Sequence, residues 1–326
     1  MRKLLLNSTA IASIAALTAS VAVADVSISA ATEFKYQSRS SQVTASDGTT
    51  FATDSEIKFS FTNKTDSGLT IGYVVEMLSD GGNTAIDESS MSISGGFGKV
   101  VLGENDGVGD NFGIAEMDLI AEESNSNALS TSINTNSDIV NLASNTTQIA
   151  YFLPAMGGFT AGVSHYDSGT NTGTDTTEYG AQYTMDAGGN TITIGAATGT
   201  TEAATKDTDS QNMGIKIVSG NLSMIVSSGS LEGVDEDRST QGASVSYKMA
   251  NGMTLGAYSV KSEDDLDAAE EYAASGVEAQ YTVAAGLTAV LTVDDYEYTR
   301  PTVRDTGSGA VSDSGTTTSL TLKASF

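Results

Sequence analysis

Apolar and polar positions alternate with a period of two along most of the chain. In EIKFSFT, for example, Ile57, Phe59 and Phe61 alternate with polar residues. The same alternation recurs in sets spread from the N-terminal region to the last residue: Val26/Ile28/Ala30/Phe34/Tyr36, Leu69/Ile71/Tyr73/Val75/Met77, Tyr179/Ala181/Tyr183/Met185, Leu222/Met224/Val226, Val277/Ala279/Tyr281/Val283 and Leu320/Leu322/Ala324/Phe326. Because successive side chains of a strand point to opposite faces, the pattern predicts β-strands with one apolar face.

Turn sequences divide these strands in a regular way. Short turns lie at 63–68, 95–98, 154–158, 186–190, 219–221, 250–252 and 284–286. Long polar segments alternate with them, near 38–50, 79–88, 105–145, 167–176, 199–211, 229–240, 261–275 and 295–316. Seven short turns and eight long loops predict sixteen antiparallel strands, with every short turn at one end of the sheet.

The composition of the two faces separates a membrane barrel from a soluble sandwich. One face is rich in Ala, Tyr and Met, and the other in Ser, Thr, Gly, Glu and Lys. Aromatic residues collect near the short turns and at the C-terminus, which predicts a girdle at one membrane interface. The predicted fold is therefore all-β: a sixteen-stranded antiparallel transmembrane β-barrel with lipid outside and water inside.

The N-terminus and the overall charge add two constraints. Residues 1–24 have a basic start at Arg2 and Lys3, an apolar stretch and an Ala22-Val23-Ala24 cleavage site, so we expect a Sec signal peptide there and a single barrel over residues 25–326. A formal net charge of −26 argues against nucleic-acid binding. The absence of cysteine rules out a disulfide framework and a thiolate metal site.

Three segments carry a resemblance to a known family. They are FGKVVLGEND at 97–106, IAYFLPAMGGF at 149–159 and the terminal SLTLKASF. With sixteen predicted strands, they resemble the Gram-negative general porins, particularly the trimeric sixteen-stranded branch of alpha- and beta-proteobacteria. The resemblance implies a homotrimer in the outer membrane with lipid and lipopolysaccharide as partners. It also implies that Phe326 belongs to an assembly signal and that the long third loop, 105–145, folds into the lumen and narrows it.

The first of these segments has an alternative interpretation as a phosphate-binding loop, because Gly98 and Gly103 flank an apolar pair. Such a loop needs Lys and then Ser or Thr after its second glycine, followed by a helix. Here Glu104 and Asn105 follow Gly103, and a carboxylate at that point would repel a phosphate. Many porins carry a basic residue where this chain has Glu104, so the resemblance does not extend to an anion preference.

Acidic residues dominate the predicted constriction loop, and no Lys or Arg accompanies them. The candidate residues on this acidic side of the pore are Glu104, Asp106, Asp110, Glu116 and Asp118. The alternative, a charge run that simply faces solvent, applies to Asp106 and Asp110 as well and is more typical of Glu122 and Glu123. Opposite them, the candidates for a basic pore wall are Lys35, Lys58, Lys99 and Lys323, of which three lie on strands that become neighbours when the barrel closes. Either these lysines create a transverse field, or they pair locally with Glu33, Glu56 or Glu76.

The predicted function is an outer-membrane channel for passive diffusion of ions and small hydrophilic solutes with a preference for cations, since acidic residues greatly outnumber basic ones. A substrate-specific channel is the alternative, and a plugged structural or adhesive barrel is a further one. A barrel enzyme is not expected, because the single histidine, His165, has no catalytic partner at a signature spacing.

No cofactor is expected. Carboxylate clusters at 235–237 and 263–271 would suit Ca²⁺ or Mg²⁺, although a solvated acidic surface explains them as well.

Overall fold

The computed structural model of the protein describes residues 25–42, 47–78, 85–121, 137–140, 142–169, 174–234, 237–265, 270–300 and 311–326. The predicted signal peptide at 1–24 and the acidic residues Glu122, Glu123, Asp235, Glu236 and Asp267 lie outside these ranges.

Sixteen antiparallel strands close into a barrel. In chain order they are β1 Asp25–Ser41, β2 Gly48–Lys64, β3 Thr70–Leu78, β4 Ala85–Gly95, β5 Gly98–Asn105, β6 Thr146–Phe152, β7 Phe159–Tyr166, β8 Thr176–Ala187, β9 Asn190–Thr201, β10 Thr208–Ser219, β11 Leu222–Glu232, β12 Asp237–Lys248, β13 Met253–Asp264, β14 Glu270–Ala284, β15 Leu287–Arg300 and β16 Val311–Ser325. Each strand pairs with its sequence neighbours, and β1 also pairs with β16, with Glu33 opposite Lys323. The predicted strand number, order and closure are confirmed.

The short turns lie where the sequence predicts them. Between β8 and β9, for example, only Gly188 and Gly189 remain outside the strands, and their φ angles are 62° and 86°. Two successive positive φ angles match the tight hairpin turns that suit the twist of antiparallel strands, and glycine adopts them without a steric penalty.

At the other end of the barrel the strands are longer than predicted. The segment 261–275 reads as a loop by its polarity, yet β13 continues to Asp264 and β14 begins at Glu270. The reason is that the ladder of backbone hydrogen bonds continues beyond the apolar band, where polar side chains occupy both faces and the alternation disappears.

The outer face carries the exposed aromatic residues of the short-turn end. Tyr183, Tyr247 and Tyr281 are exposed there, and so is Phe326, whose backbone N–H donates to Ala30 O at 2.9 Å. The Tyr151 hydroxyl donates to Phe97 O at 2.6 Å. These rings lie on the face opposite to the charged and small residues, as the alternation predicts.

The longest connection between described strands runs from the end of β5 at Asn105 to the start of β6 at Thr146. It contains a short helix, α1, at Val108–Phe112 and a 3₁₀ turn at Glu116–Leu119. Gly103 has a φ of 125°, and a Cβ there would lie 2.5 Å from Ser89 O, so only glycine fits where β5 approaches the loop. Among the residues that the structure describes, no helix has the length and apolar character needed to cross a membrane.

Candidate pore constriction

The described part of the third loop forms two limbs that lie side by side against the inner face of the barrel. We call residues 106–121 the outgoing limb and residues 137–140 and 142–145 the return limb. Val108 and Val140 are both fully buried between them. A Cβ at Gly109 would lie 2.4 Å from Val140 O, so this glycine allows the two limbs to touch. The limbs therefore pack on each other as well as on the wall.

A row of glycines on the inner wall makes room for the two limbs of the loop. This glycine track has one member facing the loop on each strand from β7 to β13: Gly162, Gly180, Gly195, Gly214, Gly229, Gly242 and Gly256. A Cβ at Gly180 would lie 2.6 Å from Phe112 Cβ, and one at Gly214 would lie 2.6 Å from Ile114 O. Any larger residue would displace the loop, because these distances are shorter than van der Waals contact.

Glu178 of β8 is the first polar anchor of the loop. Its side chain is fully buried, and its Oε2 accepts a hydrogen bond from Gly109 N at 2.9 Å. Its Oε1 accepts hydrogen bonds from Leu142 N at 2.8 Å and Ala143 N at 3.3 Å. One wall carboxylate thus satisfies backbone N–H groups of both limbs, and hydrogen bonds to an ionised acceptor are stronger than neutral ones.

Asn212 of β10 provides a second anchor. Its Oδ1 accepts from Ile114 N at 2.9 Å, while its Nδ2 donates to Ile114 O at 3.2 Å and to Ser137 O at 2.7 Å. The side-chain amide therefore binds the outgoing and the return limb at the same level of the barrel.

Glu116 is the third anchor and lies inside the protein rather than on the water-facing side of the loop. It is fully buried and accepts hydrogen bonds from the hydroxyls of Ser137 at 2.6 Å and Ser227 at 3.0 Å. A Cβ at Gly242 would lie 2.1 Å from Glu116 Oε2, so the glycine track also accommodates this carboxylate.

The other predicted loop acids have different surroundings. Asp106 is buried and accepts hydrogen bonds from Ser144 Oγ at 3.0 Å and Asn145 N at 3.1 Å, so it closes the base of the loop. Asp110 is half-buried and Asp118 is exposed, and these two remain in contact with the water of the lumen.

Glu104 lies on a different face of the barrel from the loop acids with which it was grouped above. It belongs to β5, where it pairs with Ser89 and has the same parity as Val100 and Leu102. That parity is the outer one, since Leu102 pairs with the exposed Ile149 and the register of β5 with β4 and β6 shows no shift as far as Glu104. A basic or acidic residue at this position is therefore not on the loop side of the lumen.

Asp118 is a loop acid with a shifted pKa. Although its side chain is exposed, nearby protein atoms reduce its hydration, and this desolvation raises the pKa of Asp118 above its usual 3.8. A hydrogen bond from Ala115 N to Asp118 Oδ2 at 3.2 Å and the positive charge of Lys216 act in the opposite direction without cancelling the effect.

The predicted basic wall residues lie on the inner face, and two of them are paired with carboxylates. Lys58 forms an ion pair with Glu76, and Lys323 Nζ lies 2.8 Å from Glu33 Oε1. Lys99 Nζ lies 5.7 Å from the centre of the Phe152 ring. Lys35 is half-buried on β1, beside the strands of Lys58 and Lys323. The pairs match the local-pairing alternative for Lys58 and Lys323.

Carboxylates, by contrast, are abundant among the buried residues of the strands. Within the described ranges the buried strand residues include no Lys or Arg, but they include the following acids: Glu33, Glu76, Glu88, Glu178, Asp264, Glu270, Glu278, Asp294 and Asp313. Several of these accept hydrogen bonds from tyrosines, such as Asp294 from Tyr258 at 2.7 Å and Glu270 from Tyr298 at 2.7 Å. Among the buried residues of the inner wall, acids therefore outnumber bases.

Two of the acids predicted for a calcium site have partners within the barrel wall. Arg238 Nε lies 3.2 Å from Asp264 Oδ2, and Glu270 accepts the Tyr298 hydroxyl. In the part of the chain that the structure describes, no group of three His, Cys, Asp or Glu side chains could hold a metal ion. A structural calcium ion stays a prediction, which melting with and without EDTA tests.

The loop anchors were not predicted from the sequence. Glu178 and Asn212 are single polar residues of inner parity, and nothing in their local sequence distinguishes them from other lumen-facing residues. The glycine track has a recognisable signal, since glycine recurs at the inner parity of seven successive strands. In the sequence pattern, glycine on these strands is only one of the residue types that enrich the polar face.

A closed sixteen-stranded barrel with an apolar outer face and a loop folded against its inner wall defines the class of porin-like barrels. The family model described as Gram-negative porin matches residues 9–326, and the chain belongs to this family. No curated protein matches the chain by sequence similarity.

Solved structures of similar fold come from several bacteria. OmpT of Vibrio cholerae, in its trimer form, has a TM-score of 0.69 and 13% identity, covering 93% of this chain and 99% of that chain. The anion-selective porin from Comamonas acidovorans has a TM-score of 0.65 and 14% identity, covering 93% and 100%. A variant of the Rh. blastica porin has a TM-score of 0.66 and 18% identity, covering 92% and 100%. At these identities, the likeness extends to the fold.

Proposed function

We propose that the protein forms a water-filled channel in the outer membrane through which ions and small hydrophilic solutes diffuse, with a preference for cations. The described contacts of the loop fall on the inner faces of β5 to β14 and on β16, and Asn145 at its base also donates to Asp87 of β4. The remaining passage then lies between the outgoing limb and the wall formed by β1 to β3.

The preference for cations rests on one observation, the imbalance of charge on the inner wall. Lys58 and Lys323 are paired with Glu76 and Glu33, so much of their charge is compensated locally. Nine acids are buried among the described strand residues, whereas no lysine or arginine there is itself buried; three of these acids, Glu33, Glu76 and Asp264, pair with the partly exposed Lys323, Lys58 and Arg238. Asp110 and Asp118 add negative charge on the loop side. A confined passage lined in this way has a negative potential, which concentrates cations and repels anions.

Reversal potentials of single channels in a KCl gradient test this proposal. We expect the reversal potential to have the sign of a channel that conducts potassium in preference to chloride. In Asp118→Asn we expect a reversal potential of the same sign and smaller magnitude. A potential of the sign that chloride permeation produces would contradict the cation preference. The anion-selective porin of similar fold indicates that the fold alone does not determine the sign.

Two other classes of function remain as alternatives, and separate measurements distinguish them. A barrel enzyme would depend on the single histidine, but His165 lies on the outer face, where its Nδ1 is 2.9 Å from Thr177 Oγ1. We expect His165→Ala to leave the conductance unchanged and the wild-type protein to lack hydrolase activity. A plugged structural barrel would not conduct, and a substrate-specific channel would show a saturable solute flux.

The assembly is also part of the proposal. One of the similar structures is described as a trimer, and we propose a homotrimer embedded in outer-membrane lipid and lipopolysaccharide, exported with cleavage after residue 24. Phe326 at the end of the chain is proposed as part of the signal for insertion. The mass of the detergent complex and the N-terminal sequence of the mature protein test the first two points.

A further inference from the structure

Ala121, at the end of the outgoing limb, is held through both polar groups of its backbone. Its N–H donates to Glu278 Oε1 of β14 at 3.1 Å, and its carbonyl accepts a hydrogen bond from Lys323 Nζ of β16 at 2.5 Å. The two side chains come from strands that are not adjacent, since β15 lies between them. A single loop residue is thus fixed from two directions.

The lysine of this arrangement is itself fixed by a third strand. Lys323 Nζ lies 2.8 Å from Glu33 Oε1 of β1, and the two residues are directly opposite each other in the register of β1 and β16. Their side chains are 23% and 10% exposed, and Glu278 is buried. The ammonium group is therefore positioned by the barrel before it binds the loop. Charge-assisted hydrogen bonds in a partly buried site are stronger than neutral ones.

Ala121 lies at the point where the packing of the outgoing limb on the barrel wall ends. The glycine track ends at Gly256, where a Cβ would lie 3.0 Å from Ile120 Cδ1, and Met117 and Ile120 pack against a group of buried tyrosines that includes Tyr258. Ala121 comes directly after this packing. Beyond the Glu116 anchor, the outgoing limb packs on the wall by van der Waals contact as far as Ile120, and hydrogen bonds hold it again at Ala121.

We infer that Glu33, Glu278 and Lys323 form a clamp on Ala121 that fixes the far end of the outgoing limb and thereby the width of the passage. Lys323 is then a positioning residue for the loop, in addition to any effect of its charge on permeating ions. The inference rests on the proposed channel activity but not on the cation preference.

The test compares Lys323→Met with Lys248→Met in single-channel recordings. Lys248 has the inner parity of β12, so its substitution removes the same charge from the inner wall without touching Ala121. We expect several-fold larger fluctuations of the open-channel current in Lys323→Met, and wild-type fluctuations in Lys248→Met. In Lys323→Arg we expect current fluctuations as small as in the wild type, because the guanidinium can bind both the Ala121 carbonyl and Glu33.

A second variant and a second readout keep the test independent of folding and of conduction. Glu278→Leu removes the acceptor of the Ala121 N–H without altering Lys323, and we expect faster amide hydrogen exchange at Ala121 in this variant and in Lys323→Met. If Lys323→Met alters only the reversal potential, as Lys248→Met does, and Ala121 exchanges as in the wild type, the clamp is refuted. If the wild type carries no current, the proposed channel fails, and the exchange at Ala121 still decides on the clamp.

Discussion

The glycine track allows a direct test of how the loop is seated. A Cβ at Gly214 would lie 2.6 Å from Ile114 O, 2.7 Å from Ile114 Cβ and 2.8 Å from its Cγ2. Ordinary contact begins at 3.4 Å, so Gly214→Ala requires the limb to move away from the wall by about 0.8 Å. That movement carries the limb towards the passage.

Two effects of opposite sign decide the stability of this variant. Alanine in a strand interior is favoured over glycine by roughly 0.5–1 kcal/mol, because the unfolded chain loses less freedom. Overpacking of a close-packed contact costs about 1–3 kcal/mol. Since the contact at Gly214 includes a backbone carbonyl that cannot rotate away, we expect the free energy of unfolding of Gly214→Ala to be lower than that of the wild type by about 0.5–2 kcal/mol.

A glycine with free space around it serves as the control. Gly96, in the short turn between β4 and β5, has no atom within 4 Å of an added Cβ and no positive φ. Gly96→Ala should be neutral or stabilising by up to about 1 kcal/mol. The two variants are thus expected to differ in the sign of their effect.

Urea unfolding in detergent and single-channel conductance provide the readouts. We expect a lower unfolding midpoint and a lower mean conductance for Gly214→Ala, with a larger effect for Gly214→Val, and wild-type conductance for Gly96→Ala. If Gly214→Ala is as stable and as conductive as Gly96→Ala, the limb does not pack on β10 as described.

The remaining predictions concern two carboxylates with opposite roles. Because the folded-state pKa of Asp118 is raised, the contribution of this group to stability is fully present below the unfolded pKa near 3.8 and is lost as pH rises through the folded pKa. Asp118→Asn should therefore remove this part of the dependence of the unfolding free energy on pH. A pH dependence identical to that of the wild type would contradict the prediction. Glu178→Gln replaces one acceptor oxygen by an NH₂ donor that faces backbone N–H groups. We therefore expect the free energy of unfolding to fall by about 1.5–3 kcal/mol and the loop to become more sensitive to protease. Glu271→Gln, on the outer face, is the control.

The fold follows from the sequence because its signal is repeated sixteen times. A period of two with short glycine-containing turns specifies which face of each strand meets lipid, and neighbouring strands then pair in sequence order. The ends of the strands at the long-loop side are less predictable. Asp264 and Glu270 read as loop residues by polarity, yet they belong to paired strands, because backbone hydrogen bonding there no longer depends on an apolar face.

The constriction was predictable in outline but not in the roles of its acids. The length and acidity of 105–145 indicate a loop with a function, but Glu116, Asp110 and Asp118 look alike in the sequence. Their roles depend on what lies opposite: Glu116 meets two serine hydroxyls and a glycine of the wall, whereas Asp118 meets water. Those partners are about 20 to 110 residues away along the chain, and no local pattern encodes them.

The way the loop is anchored explains why acidic residues in such a loop are a poor measure of pore charge. The loop has few hydrogen bonds of its own regular structure, so its buried N–H groups need acceptors from the wall, and Glu178 supplies them for both limbs. Loop carboxylates in turn accept from hydroxyls and backbone amides, as Asp106 and Glu116 do. A carboxylate used in this way is enclosed by donors that disperse its charge, and its substitution should alter the stability of the loop more than the selectivity. The sign of the selectivity then depends on the acids that keep their water, and Asp118→Asn should reduce the cation preference more than any change at Glu104 on the outer face.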